Sequence, residues 1–142
     1  MWAGAGRHSQ IPVQGTSMYP LLRPGDVALV VHGHDGLRVG DVAAYWSGDR
    51  IIVHRLLRRC RPGENLLTGG DNRHLADEPV PTNVVLGRVF AVHTPAGQFS
   101  LRSRRARLLG WTLATCFPLQ SYRGLRRIVT WLFSLAAWIL RP

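Results

Sequence analysis

Asp41-Val-Ala-Ala-Tyr-Trp-Ser-Gly-Asp-Arg-Ile-Ile-Val-His-Arg-Leu-Leu57 is the stretch that decides the fold class. Two short apolar runs flank Ser47-Gly48-Asp49, a turn signal. The second run, from Ile51, is rich in branched side chains and reads as a strand. Outward from this pair, Val27-Ala-Leu-Val-Val31 follows the turn Pro24-Gly25-Asp26. Asn65-Leu-Leu-Thr68 and the run from Val84 to Val92 supply further strands. His34-Asp35-Gly36, Pro62-Gly63 and Gly69-Gly70-Asp71 punctuate the intervals. Short strands with close turns predict a mainly β unit over residues 11–93, an antiparallel sheet or partial barrel.

The 142 residues fit one domain and suffice to bury a core without staples. Hydrophobic residues make up 46% and charged residues 18%, which excludes a disordered chain. The net charge is +10, and every basic residue other than histidine is arginine. The lack of lysine removes one side chain that serves as a catalytic base. The excess charge points to an anionic partner, lipid headgroups or nucleic acid; the plain alternative is a surface of solvated arginines. Cys60 and Cys116 lie far apart without zinc spacing, so neither a metal nor a cofactor is expected.

Residues 1–10 lack the apolar stretch of a signal peptide, which puts any membrane contact at the other end. Near Ser100 the character changes. Residues 94–107, with Arg102-Ser-Arg-Arg-Ala-Arg107, read as a basic linker. Beyond it, residues 108–142 read as a hydrophobic helical region. Leu108 to Leu119 carries Trp111 and Phe117, and Ile128 to Leu140 carries Trp131, Phe133 and Trp138. Neither run reaches the roughly 20 apolar residues of a spanning helix. The second run is apolar on all sides, and Trp-rich helices flanked by arginine fit an interfacial membrane anchor. The competing reading packs both helices on the β unit as core.

Chemistry concentrates in Gly15-Thr-Ser-Met-Tyr-Pro-Leu-Leu-Arg-Pro-Gly-Asp26, where Ser17 sits in a tight turn. A nucleophile needs such exposure, with backbone N–H groups nearby for an oxyanion. Four further boxes follow in order: Gly40-Asp-Val-Ala-Ala-Tyr45, Val53-His-Arg-Leu56, Leu67-Thr-Gly-Gly-Asp-Asn72 with Asp77 beyond it, and Gly87-Arg-Val89. This ordered set resembles the type I signal peptidases over residues 13–89, well over half the chain. The resemblance is to the histidine-using archaeal, endoplasmic-reticulum and sporulation types, because His54-Arg55 stands where most bacterial members carry lysine.

That resemblance implies an antiparallel signal-peptidase-like β fold and a serine endopeptidase that cleaves signal or leader peptides from precursor proteins. Ser17 is then the nucleophile and His54 the base. Asp77, or in its place Asp71, orients the histidine. The Ser17 N–H and Thr16 serve the oxyanion. Gly15 departs from the many members that carry a hydroxyl there, and the usual N-terminal anchor is not seen. The implied partners are a precursor protein or leader-bearing peptide, and membrane lipid through the C-terminal helices, with no nucleic acid expected. His8, His32, His34, His74 and His93 read as surface residues. Two other readings compete. A self-cleaving repressor domain would need a lysine and a DNA-binding domain. A non-catalytic basic protein would bind membrane or nucleic acid on a degenerate protease scaffold, and Gly15 favours it.

Overall fold

The computed structural model describes residues 6–61 and 65–142. Its strands are β1 (His8–Pro12), β2 (Val27–His32), β3 (Val42–Ser47), β4 (Arg50–Cys60), β5 (Asn65–Gly69), β6 (Val80–Pro81), β7 (Val85–Thr94) and β8 (Gly97–Ser100). Two helices follow, α1 (Arg104–Cys116) and α2 (Arg123–Leu140). The strands form one antiparallel sheet in the order β1-β2-β7-β3-β4-β5-β6, with β8 paired to β7. The mainly β antiparallel expectation is met.

β3 and β4 form the hairpin read from the 41–57 stretch, with Ser47 opposite Arg50 and Gly48 at φ +62° in the turn. Alternation along β3 explains why it reads as one continuous apolar run. Val42 and Ala44 enter a cluster with Met18, Leu22, Val30 and Val89. Ala43 and Tyr45 enter a second cluster with Leu37, Leu56 and Leu66. The sheet thus carries core on both faces, which places β3 and β4 at the centre of the molecule.

Residues 94–107 are not a linker. Thr94 ends β7, and β8 returns along it with Phe99 buried. Ser103 then caps α1, its Oγ accepting from the Ala106 N–H at 3.1 Å, so Arg104 to Arg107 form the first helical turn. The β unit also begins earlier than residue 11, because His8 to Gln10 pair with β2. The expected turn at Pro62-Gly63 lies outside the described residues.

The helices form a hairpin with its own small core of Leu113, Val129, Phe133 and Ala136. Two glycine contacts dock it on the sheet. A Cβ at Gly40 would lie 2.4 Å from the Trp111 nitrogen, so α1 rests backbone to backbone on the turn before β3. A Cβ at Gly69 would lie 2.7 Å from the Phe117 ring. The second apolar run is not uniform once helical. Val129, Phe133, Ala136 and Ala137 face inward, while Ile128, Trp131, Trp138 and Ile139 are exposed. Arg123, Arg126, Arg127, Thr130 and Ser134 share a polar edge at helical spacing. No helix among the described residues is long and apolar enough to cross a membrane.

Candidate active site

Ser17 lies on the loop between β1 and β2, which folds onto itself. The Val13 N–H donates to the Asp26 carbonyl at 2.8 Å, Tyr19 N–H to the Thr16 carbonyl at 3.1 Å, and Leu22 N–H to the Met18 carbonyl at 3.0 Å. Met18, Leu21 and Leu22 are buried, so apolar side chains anchor the loop beneath an accessible serine. Gly15 adopts φ +74° with open space around it. Glycine is needed there for its backbone conformation, and any side chain with a hydroxyl would be strained.

His54 lies on β4 opposite Ala43 of β3, on the face covered by Leu56 and Tyr45. It is 5% exposed. Its Nε2 is 3.0 Å from Ser17 Oγ, and its Nδ1 is 2.5 Å from Asp77 Oδ2. An ionised carboxylate accepts only, so Nδ1 carries the proton and Nε2 is left to accept from the serine hydroxyl. The three side chains come from three separate segments and form one hydrogen-bonded line.

Asp77 is held in place by more than His54. The Thr68 hydroxyl donates to its Oδ2 at 2.8 Å, the Tyr45 hydroxyl at 3.0 Å, and its own N–H donates to the Thr68 carbonyl at 2.8 Å. Burial pushes the Asp77 carboxyl upward. The hydrogen bond and charge of His54, with the two hydroxyls, outweigh that and hold it below the ordinary carboxylate value. Burial also drives the Tyr45 hydroxyl well above its ordinary value, so Tyr45 stays protonated and able to donate. Thr68 and Tyr45 carried no signal as single residues. Their place in the Leu67-Thr-Gly-Gly and Gly-Asp-Val-Ala-Ala-Tyr boxes was the available pointer.

Asp71 has a different neighbour. Its carboxylate takes both arms of Arg55, from Nε at 2.8 Å and from Nη2 at 2.6 Å. The third nitrogen, Nη1, donates to the Gly40 carbonyl at 2.8 Å. The pair is fully buried and lies under α1, where a Cβ at Gly110 would come within 3.1 Å of Arg55 Nη1. Of the two aspartates left open by the sequence, Asp77 is the one that meets the histidine.

The Gly69–Asn72 segment is stitched to the serine loop. The Asn72 N–H donates to the Ser17 carbonyl at 2.8 Å, Asn72 Nδ2 to the Thr16 carbonyl at 3.1 Å, and the Asp71 N–H to the Met18 sulfur at 3.4 Å. Gly70 permits this approach, since a Cβ there would lie 2.6 Å from the Ser17 carbonyl oxygen and 3.1 Å from His54 Nε2. No protein-family model matches the chain, and neither a curated protein nor a solved structure matches it.

Two clefts meet at Ser17. One, of about 110 Å³, is lined by Ile11, Val13, Met18, Ile51 and Val53. The other, of about 420 Å³, is lined by Tyr45, Trp46, Arg73, Glu78 and Pro79. β5 pairs with β4 only from Arg55 onward, which leaves the Ile51–Val53 edge beside the smaller cleft without a strand partner among the described residues. Among the described residues no hydrogen bond uses the Ser17 N–H or the Thr16 hydroxyl, and Thr16 is exposed. No group of metal-ligating side chains forms among the described residues. Of the histidines expected at the surface, His32 and His34 are half-buried instead, and His32 Nε2 lies 2.6 Å from Ser9 Oγ.

Proposed function

We propose that this chain is a serine endopeptidase of the signal-peptidase type, with a signal-peptidase-like β fold. Its substrates are precursor proteins or leader-bearing peptides. The observation that carries the reading is the Ser17–His54–Asp77 line, whose Ser17 end opens at the meeting of two clefts.

The chemistry follows from the geometry. Ser17 Oγ attacks the scissile carbonyl carbon while His54 Nε2 takes its proton. The imidazolium is stabilised by Asp77, and the oxyanion faces the Ser17 N–H, with Thr16 as the second candidate donor. Collapse breaks the C–N bond as His54 returns the proton to the leaving amine. Water, deprotonated by His54, then attacks the acyl ester and frees Ser17. The unpaired Ile51–Val53 edge suits an extended substrate that adds as a strand, and the small apolar cleft beside it suits a small side chain before the cut.

The exposed apolar stripe of α2 with its arginine edge supports association with an anionic membrane surface through residues 108–142. Interfacial binding, with no span, is the form this region suits.

Purified wild type, Ser17→Ala and His54→Ala in detergent, offered leader-bearing precursors, test the reading. Cleavage by wild type alone is expected. If folded wild type leaves every precursor intact and a fluorophosphonate fails to label Ser17, the non-catalytic scaffold reading takes its place.

A further inference from the structure

Asp26 closes the serine loop and is 2% exposed. Its carboxylate accepts from the Arg23 N–H at 2.9 Å, which ties the end of the loop into a turn. Its other partner comes from the far end of the chain. Arg141 Nη1 lies 2.5 Å from Asp26 Oδ2 and Nη2 lies 3.3 Å from Oδ1. The same Nη1 donates to the Leu21 carbonyl at 2.7 Å. The guanidinium is 5.7 Å from the centre of the Phe99 ring on β8. Its backbone N–H caps α2 on the Ala137 carbonyl at 2.9 Å, and the preceding Leu140 packs on the cluster that holds Met18, Leu21 and Leu22.

This arrangement reaches Ser17 in few steps. Arg141 fixes Leu21 and Asp26, Leu22 is bonded to Met18, and Met18 follows Ser17. The opposite side of that loop is held by Asn72 and Gly70. Without Arg141, a buried carboxylate loses its charge partner, and such a loss is strongly unfavourable. The loop then relaxes away from that side, and a nucleophile displaced by about 1 Å loses on the order of 100-fold in rate.

We infer that Arg141 is a positioning residue, a clamp from the C-cap of α2 that sets the Ser17 loop against His54. This rests on Ser17 being the nucleophile. The helical hairpin is then part of the reacting unit rather than a detachable anchor.

Arg141→Ala, Arg141→Lys and Asp26→Asn in the full chain test it by two readouts. Amide hydrogen exchange reports the loop, and the fluorophosphonate labelling rate of Ser17 across pH reports the nucleophile. Arg141→Ala is expected to cut protection of the Leu22 and Asp26 amides at least tenfold while β3 and β4 keep theirs. Labelling slows about 100-fold with an unchanged pH midpoint, and on a cleaved precursor kcat falls while KM holds. Arg141→Lys restores part of both, and Asp26→Asn resembles Arg141→Ala. Unchanged loop protection overturns the clamp, as does exchange that rises evenly over the whole sheet. A looser loop with unchanged labelling overturns the positioning role. Wild type that does not label at all refutes the nucleophile instead, and Arg141 is then no positioning residue, whatever the exchange shows.

Discussion

Asp71 and Asp77 leave the same loop and meet opposite partners. Asp77 reaches the histidine, so its substitution is expected to act on rate. Asp77→Asn keeps the shape but offers an amide to Nδ1, which favours the wrong tautomer. Ser17 labelling is expected to fall about 10⁴-fold in a chain that still folds. The depressed Asp77 carboxyl also contributes stability above its unfolded pKa, and that contribution is lost as pH falls through the lower folded value. Asp77→Asn is therefore expected to flatten the acid limb of a stability-against-pH curve, measured by urea midpoints. Asp71→Ala leaves the buried Arg55 guanidinium without its carboxylate and is expected to cost about 3–5 kcal/mol of stability in urea unfolding. Gly70→Ala is the third test at this scale. Its Cβ would lie 2.6 Å from a Ser17 carbonyl that already accepts from Asn72. The serine must shift, so labelling is expected to drop about 100-fold while circular dichroism stays native.

Between residue and molecule stands α2, which has two apolar faces, one buried and one exposed. Val129, Phe133 and Ala136 fill the hairpin core. Trp131 is 61% and Trp138 79% exposed among the described residues. Each buried aromatic contributes about 1.5–3 kcal/mol. Trp131→Ser with Trp138→Ser is expected to weaken binding to anionic vesicles at least tenfold. Stability should move by less than about 0.5 kcal/mol, because neither ring is part of the core. Sedimentation with vesicles at two salt concentrations checks the first, and thermal melting the second.

At the scale of the molecule, sheet and hairpin hold each other. α1 covers the Arg55–Asp71 pair through Gly110, Phe117 covers Gly69, and Arg141 neutralises Asp26. A chain cut before Ser103 loses all three. It is expected to unfold at clearly lower urea, by at least about 3 kcal/mol from the Asp26 pair alone, and to lose Ser17 labelling with it.

Much of this was legible in the sequence. The short apolar and branched runs and the glycine turns between them pointed to a mainly antiparallel sheet, because strand and turn preferences are local. The ordered boxes marked Ser17 and His54, and composition marked a hydrophobic helical region over residues 108–142. The tertiary structure alone decided which aspartate meets His54, since that depends on where a loop ends after its glycines. It alone decided that residues 94–107 continue the sheet and start a helix, because β8 is held by its pairing with β7. It alone joined Arg141 to Asp26. A contact between residues 115 positions apart leaves no trace in local periodicity; it forms only when close packing brings a buried charge and its partner to the same place.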